Sequence, residues 1–271
     1  MSNFVVNPYR FVSEPSYPDG IGSTGDADLS GGFSLSTSVK KLGTGSVFFD
    51  GTDGHATANG VATATSVMAM DTVGTVSCWF NSASMAVNGG KILFAGGDTN
   101  GDAYFQADFV ASGNQLDSVC VKFDGDYGWQ IFTGTDTISG SDSFTTWYLY
   151  TITSDGTSPK FWINGSDITS GVTWHDESDK SMWTGAITTM DNFKIACRNF
   201  DNMGNNAFYK GYIDDFGIWD KELSAVQIAS LWNGGTGNLC STITDGLRVY
   251  YNMDSVADDK LIIKRFHKIG N

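Results

Sequence analysis

The chain has 271 residues, 41% of them hydrophobic and 13% aromatic, with 33 Gly against only 4 Pro. That is enough apolar material for one large core, in a mix that favours strands and tight turns over helices. Its 30 acidic residues against 16 Lys and Arg give a net charge of −14, a surface that repels phosphate backbones and excludes nucleic acid as a partner.

Only three of the acids are Glu (Glu14, Glu177, Glu222) and the rest are Asp. Asp suits turns because its short side chain bonds nearby backbone, whereas Glu suits helices. In chain order, Gly45-Ser-Val-Phe-Phe-Asp50 reads as a strand closed by an Asp-Gly turn. Thr75 to Phe80 alternates, with Val76, Cys78 and Phe80 on one face. Lys91 to Ala95, Tyr104 to Val110, Ser118 to Phe123 and Trp129 to Thr133 follow as further strands. Trp147 to Thr153 and Lys160 to Ile163 form a hairpin, and Asn164-Gly165 then suits a type I′ turn. Asn164-Gly-Ser166 is also formally a glycosylation acceptor, read here as turn chemistry. Phe193 to Cys197, Lys210 to Trp219 and Gly246 to Asp254 complete the strands.

One helix is expected. Ser224-Ala-Val-Gln227 spells a capping box, Leu223 and Ile228 its hydrophobic staple, and Asn233-Gly234-Gly235 a left-handed exit. Eight or nine residues do not hold a helix alone, so it must pack on the edge of the strands. The expected fold is all-β, a two-sheet antiparallel sandwich with this short helix near the C-terminal end. Residues 1–44 form an N-terminal strand and loop leading into it, 45–254 build it, and 255–271 form a basic tail.

Cys78, Cys120, Cys197 and Cys240 form no paired spacing, and with His55, His175 and His267 they assemble no zinc motif. Cys78 and Cys197 sit in apolar strand patterns. For Cys120 and Cys240 both free thiols and a bridge fit the sequence. No basic N-terminal stretch with an apolar core marks a secretion signal, and no apolar run reaches the ~20 residues of a membrane helix.

Four segments in order resemble the laminin-G-like jelly rolls of the concanavalin A-like lectin/glucanase superfamily. They are Gly45 to Gly51, Gly74 to Phe80, Trp147 to Gly165, and Tyr209 to Ser224 with its Gly-x-Ile-Asp-Asp strand and Leu-Ser helix cap. The resemblance implies a concanavalin A-like sandwich over about 45 to 235. Glucanases of this superfamily use a Glu-x-Asp-x-x-Glu strand that sets two carboxylates beside the glycosidic bond. This sequence has no such strand. A glycoside hydrolase is therefore the least favoured reading, although Glu177 has acidic neighbours in Trp174-His-Asp-Glu-Ser-Asp179.

Sugar recognition needs an aromatic face flanked by carboxylates or amides. Loop aromatics with such neighbours are Tyr104 (beside Asn100 and Asp102), Tyr127 and Trp129 (beside Asp124 and Asp126), and Trp174 and Trp183 (around His175, Asp176 and Asp179). Trp79, Trp147, Trp162 and Trp219 lie within alternating strands and read as core. No cofactor is required. The resemblance admits Ca²⁺ at a strand rim, for which Asp50, Asp53, Asp214 and Asp215 are the candidates; Asp side chains capping their own turns fit equally well. Lys260, Lys264, Arg265 and Lys268 are candidates for docking an acidic neighbour, against a plain solvated tail.

From this family context and the missing export signal, the expected role is non-catalytic. The chain would be a structural or accessory protein of a virus or phage particle, a decoration or adhesion protein that also binds glycans. The alternative is a secreted or cell-surface lectin module. The expected partners are other virion or surface-assembly proteins and polysaccharide, without membrane insertion, and the expected location is the virion surface or the extracellular space.

Overall fold

The structure, a computed structural model, describes residues 27–59, 61–62, 68, 71–110, 114–121, 126–257 and 260–263. In chain order the strands are β1 (Ala27–Ser30), β2 (Phe33–Ser36), β3 (Ser46–Asp50), β4 (His55–Ala58) and β5 (Gly74–Ser82). A helical turn, α1 (Met85–Asn88), precedes β6 (Ile92–Gly97), β7 (Tyr104–Val110), β8 (Gln115–Val121) and β9 (Tyr127–Phe132). Then come β10 (Tyr148–Ser154), β11 (Pro159–Ile163), β12 (Ser166–Asp167), β13 (Thr173–Asp176), β14 (Asn192–Ile195) and β15 (Lys210–Trp219). Helix α2 (Ala225–Trp232), β16 (Leu247–Ala257) and β17 (Lys260–Ile263) close the order.

All the ladders are antiparallel and sort into two sheets. The front sheet runs β17-β1-β4-β14-β6-β7-β8-β9-β13. The back sheet runs β12-β11-β10-β5-β15-β3-β2, with β16 beside the second half of β15. The sheets meet along one edge. β16 begins in the back sheet with Val249 opposite Ile218, passes Met253 at φ +56°, and ends paired with β17. β17 in turn pairs with β1 of the front sheet. β1 and β2 lie before residue 45, where a strand and loop are expected, and β17 lies after residue 255.

Between the sheets lies the main core. Val76, Cys78 and Phe80 of β5 point into it, as the alternation predicts, with Tyr148, Tyr150 and Ile152 of β10 and Phe105, Phe109 and Trp129 from the front. Each such fully buried side chain stabilises by roughly 1.5–3 kcal/mol. The back sheet is buried on its other face too. Trp79, Leu149, Trp162 and Trp219 form a second core under Leu223, Ile228 and Leu231 of the α2 region, and Trp147 packs at its margin. Trp79 stacks on Trp232, with ring centroids 5.3 Å apart.

Helix α2 carries the predicted signals. Ser224 Oγ accepts from the Gln227 amide, Gln227 Oε1 accepts from the Ser224 amide, and Asn233 exits left-handed at φ +46°. At the hairpin end Asn164 and Gly165 both have positive φ, as a type I′ turn demands. All four cysteines are free and buried, which settles Cys120 and Cys240 as thiols.

Candidate functional site

An open cleft of about 260 Å³ lies at one rim of the sandwich. Three separate stretches build it: Thr72 before β5, Asp126 before β9, and Asp179, Ser181, Met182, Trp183, Gly185 and Ala186 from the loop after β13. That loop is pinned by its own backbone. Asp179 N–H donates to Gly128 O at 2.7 Å, Met182 N–H to Asp179 O at 3.2 Å, and Gly185 N–H to Asp71 O at 2.8 Å. From below, the Trp129 indole N–H donates to Met182 O at 2.8 Å. Two glycines make room: a Cβ on Gly128 would come within 2.4 Å of Met182 Sδ, and one on Gly74 within 2.5 Å of Trp183 Nε1. The result is an apolar lining of Met182, Trp183 and Ala186, ringed by Asp126, Asp179, Ser181 and Thr72. Such a mix suits one sugar ring, whose carbon face needs apolar contact and whose hydroxyls need acceptors.

The aromatic candidates meet different fates. Trp129 is fully buried and Trp183 is 2% exposed. Both are therefore corrected from ring-stacking contacts to core residues, Trp183 keeping only a place in the cleft wall. Their loops looked exposed in sequence, but inward-facing strand register and the glycines beside them take both rings inside. Trp174 is half-buried against Phe161, and its outer face is covered by Lys180, whose Nζ sits 4.2 Å from the ring centroid and 2.6 Å from Glu177. Tyr104 is stacked on Phe200 at 4.2 Å, so one of its faces is also taken. Tyr127 is half-buried opposite Val121. His175 is the extra residue of a bulge in β13 and lies 4.6 Å from the Phe132 ring, while Asp176 accepts from Ser178 N–H and caps its own turn. The cleft thus gathers Asp126, Asp179 and Trp183, and leaves Tyr104, Tyr127, Trp129, Trp174, His175 and Asp176 outside its lining. Asp124 lies outside the described residues. Sequence reasoning missed Met182 and Thr72; no local pattern links Thr72 to a loop a hundred residues on.

The four carboxylates proposed for calcium divide into two places. Asp50 Oδ1 accepts from the amides of Thr52, Asp53 and Gly54, and Asp53 Oδ1 accepts from Gly32 N–H. Asp50 is opposite Lys210 in the β3–β15 ladder, so Asp214 stands four residues further on, about 13 Å along the strand. Among the described residues no group of three or more His, Cys, Asp or Glu is placed to hold a metal ion. These four carboxylates do not form one site.

Asp214 and Asp215 instead clamp the outer layer. A bulge between Asp214 and Gly217, with Asp215 at φ +49°, puts Ile213 and Phe216 in the main core and turns both carboxylates outward. Asp214 Oδ2 accepts from Lys41 N–H (2.8 Å) and Leu42 N–H (2.9 Å). Asp215 Oδ2 accepts from Cys240 N–H at 2.7 Å. Burial pushes the Asp214 carboxyl up to about 8 and that of Asp215 to about 6, against the pull of those amides.

Of the basic candidates, Lys260 belongs to β17 and is paired with Asp28 of β1 and Ala257 of β16, so its backbone is part of the sheet and not of a free tail. Lys264, Arg265 and Lys268 lie outside the described residues.

The family model Laminin_G_3, of the concanavalin A-like lectin/glucanases superfamily, matches residues 49–229. The chain belongs to this family. Among solved structures, this Laminin_G_3 sandwich resembles the CBM40 of the Ruminococcus gnavus IT-sialidase bound to α2,3-sialyllactose. The TM-score is 0.50 at 16% identity, covering 63% of this chain and 85% of that one. The same CBM40 bound to α2,6-sialyllactose matches equally well, at TM-score 0.50 and 16% identity, with the same coverage of 63% and 85%. The receptor binding domain of the botulinum neurotoxin C/D mosaic serotype matches with TM-score 0.51 at 15% identity, covering 78% of this chain and 46% of that one. At such identities the likeness is one of fold. No curated protein matches the chain by sequence.

Proposed function

We propose that this protein is a non-catalytic carbohydrate-binding domain that holds a sugar ring in the cleft between Asp126 and the Asp179–Ala186 loop. The observation that carries the reading is the cleft itself, where carboxylates and hydroxyls ring an apolar lining. The fold likeness to a module bound to sialyllactose supports it. Against hydrolysis stands the placement of the raised carboxyls. A glycosidase needs one protonated acid beside the scissile bond. Among the described residues, burial holds up Asp71 (to about 7), Asp214, Asp215 and the Asp108–Asp117 pair, and none of these lines the cleft.

A glycan array, followed by titration of the best binder, tests the reading. Asp126→Ala and Asp179→Ala each weaken binding at least fivefold, and Asp126→Ala leaves the melting temperature unchanged. Silence across the array, or turnover of a bound glycan, overturns it.

We also propose that the domain works on the surface of a virus or phage particle. The support is the cluster Lys260, Lys264, Arg265 and Lys268 in a chain of net charge −14, a complement for an acidic neighbour. Lys264→Ala/Arg265→Ala/Lys268→Ala lowers incorporation into purified particles; unaltered incorporation discards the docking role, and absence of the wild-type chain from particles discards the setting.

A further inference from the structure

The cleft is rich in acceptors and poor in donors, and this decides the class of sugar it holds. Its charged lining groups are the carboxylates of Asp126 and Asp179, and no basic side chain lines it among the described residues. Four backbone donors along its loop already have partners. Asp179 N–H goes to Gly128 O, Met182 N–H to Asp179 O, Gly185 N–H to Asp71 O, and Ala186 N–H to Trp183 O. Ser181 gives both its N–H (3.0 Å) and its hydroxyl (2.5 Å) to Asp179 Oδ1. The neighbouring cation, Lys180, is held by Glu177 and lies over the Trp174 ring. An anion is bound by charged or amide donors aimed at it; among the described residues no charged donor lines the cleft, and the amides of Asp179, Ser181, Met182, Gly185 and Ala186 have other partners.

We propose that the cleft selects sugars without negative charge, neutral or amino-bearing, whose hydroxyl or ammonium groups donate to Asp126 and Asp179, and that it rejects sialylated and uronate glycans. This inference rests on the carbohydrate-binding reading of the same cleft. It sets the chain apart from the sialyllactose-bound module that it resembles in fold, because two carboxylates facing a sialic acid carboxylate repel it and leave it without donors. An ammonium gains the opposite term, which salt screens because the cleft is open to solvent.

Matched probes read the class. On one array carrying neutral, amino-bearing, sialylated and uronate glycans, lactose is compared with 3′-sialyllactose, and chitotriose with its N-acetylated counterpart. The expected result is at least tenfold weaker binding of each anionic member than of its neutral partner, and tighter binding of the free amine that weakens as salt is raised. In Asp126→Asn/Asp179→Asn the advantage of the amine disappears. Binding of 3′-sialyllactose as tight as lactose overturns the inference and leaves the carbohydrate-binding reading standing. So does an amine preference that survives in the double variant. No binding to any glycan class overturns both.

Discussion

Asp108 and Asp117 stand directly opposite each other on β7 and β8, on the outer face of the front sheet. Asp108 Oδ2 accepts from Gln106 Nε2 at 3.4 Å and Asp117 Oδ2 from Gln130 Nε2 at 2.7 Å, while the Oδ1 atom of each is buried without a hydrogen-bond donor. Two ionised carboxylates in this strip would repel each other where little water screens them. Burial raises both carboxyls above the usual range, with the Asp108 charge adding to the rise at Asp117 and Arg198 opposing it at Asp108.

The sign of the pH dependence follows. The folded state holds these protons more tightly than the unfolded chain, so the contribution to stability is full below the unfolded carboxyl pKa. It is lost as the pH rises through the neutral range. Thermal melts at pH 5.5 and pH 9 read it. Asp117→Asn removes one titrating partner and shrinks the alkaline loss by about 2 kcal/mol. Asp71, Asp214 and Asp215 are raised in the same direction, so the informative quantity is the difference between variant and wild type. An equal alkaline loss in both would show that the pair is not its source.

Trp129→Ala acts on the fold before it acts on any ligand. The side chain is fully buried between Phe105 and Phe161, at ring distances of 6.1 and 5.6 Å, and its N–H holds Met182. Urea denaturation is expected to show a loss of about 3–5 kcal/mol. Trp174→Ala, at a half-buried site under Lys180, costs much less. Equal costs for the two would mean that their environments are not as different as the packing implies.

These two tryptophans show which parts of the molecule could be read from sequence. Alternation along Val76, Cys78 and Phe80 correctly marked the face turned to the main core, because a strand's side-chain period is fixed at two. Trp79, on the opposite face, also read as core, but alternation could not show what covers it, since that depends on α2 returning across the back sheet. Nor could it show the bulge at Asp214 and Asp215, which shifts the phase by one residue and sends two adjacent carboxylates to the same side. The cleft was half legible. Asp126, Asp179 and Trp183 lie next to turn signals, but whether an aromatic beside a turn faces water depends on register and on close approaches such as that of Met182 to Gly128.

Helix α2 should be sensitive to its cap. Ser224→Ala removes the acceptor for the Gln227 amide and costs about 1 kcal/mol. Because α2 covers Trp79 and Trp219, the loss should also appear as faster amide exchange in β15 and β16, the strands beneath it. A destabilisation confined to the helix, with no change in those strands, would show that the second core holds without it.

Asp214 separates two roles that a buried carboxylate can play. Its Oδ2 is the acceptor for Lys41 and Leu42 N–H, which ties the approach to β3 onto the back sheet, and Leu42 packs on the second core beside it. Asp214→Ala leaves both amides without that acceptor and is expected to cost about 2–4 kcal/mol, since each stranded donor keeps its full desolvation penalty. Asp214→Asn keeps an acceptor oxygen and removes a charge that burial disfavours, so it should cost well under half as much. The pH profiles should diverge as well. Because the folded carboxyl is raised to about 8, the wild type loses stability as the pH climbs from about 4 through 8, and Asp214→Asn loses less over that range. Denaturant titrations of the three proteins at pH 5.5 and 8.5 decide it. If Ala and Asn cost the same at both pH values, the carboxylate is not the anchor of residues 41 and 42.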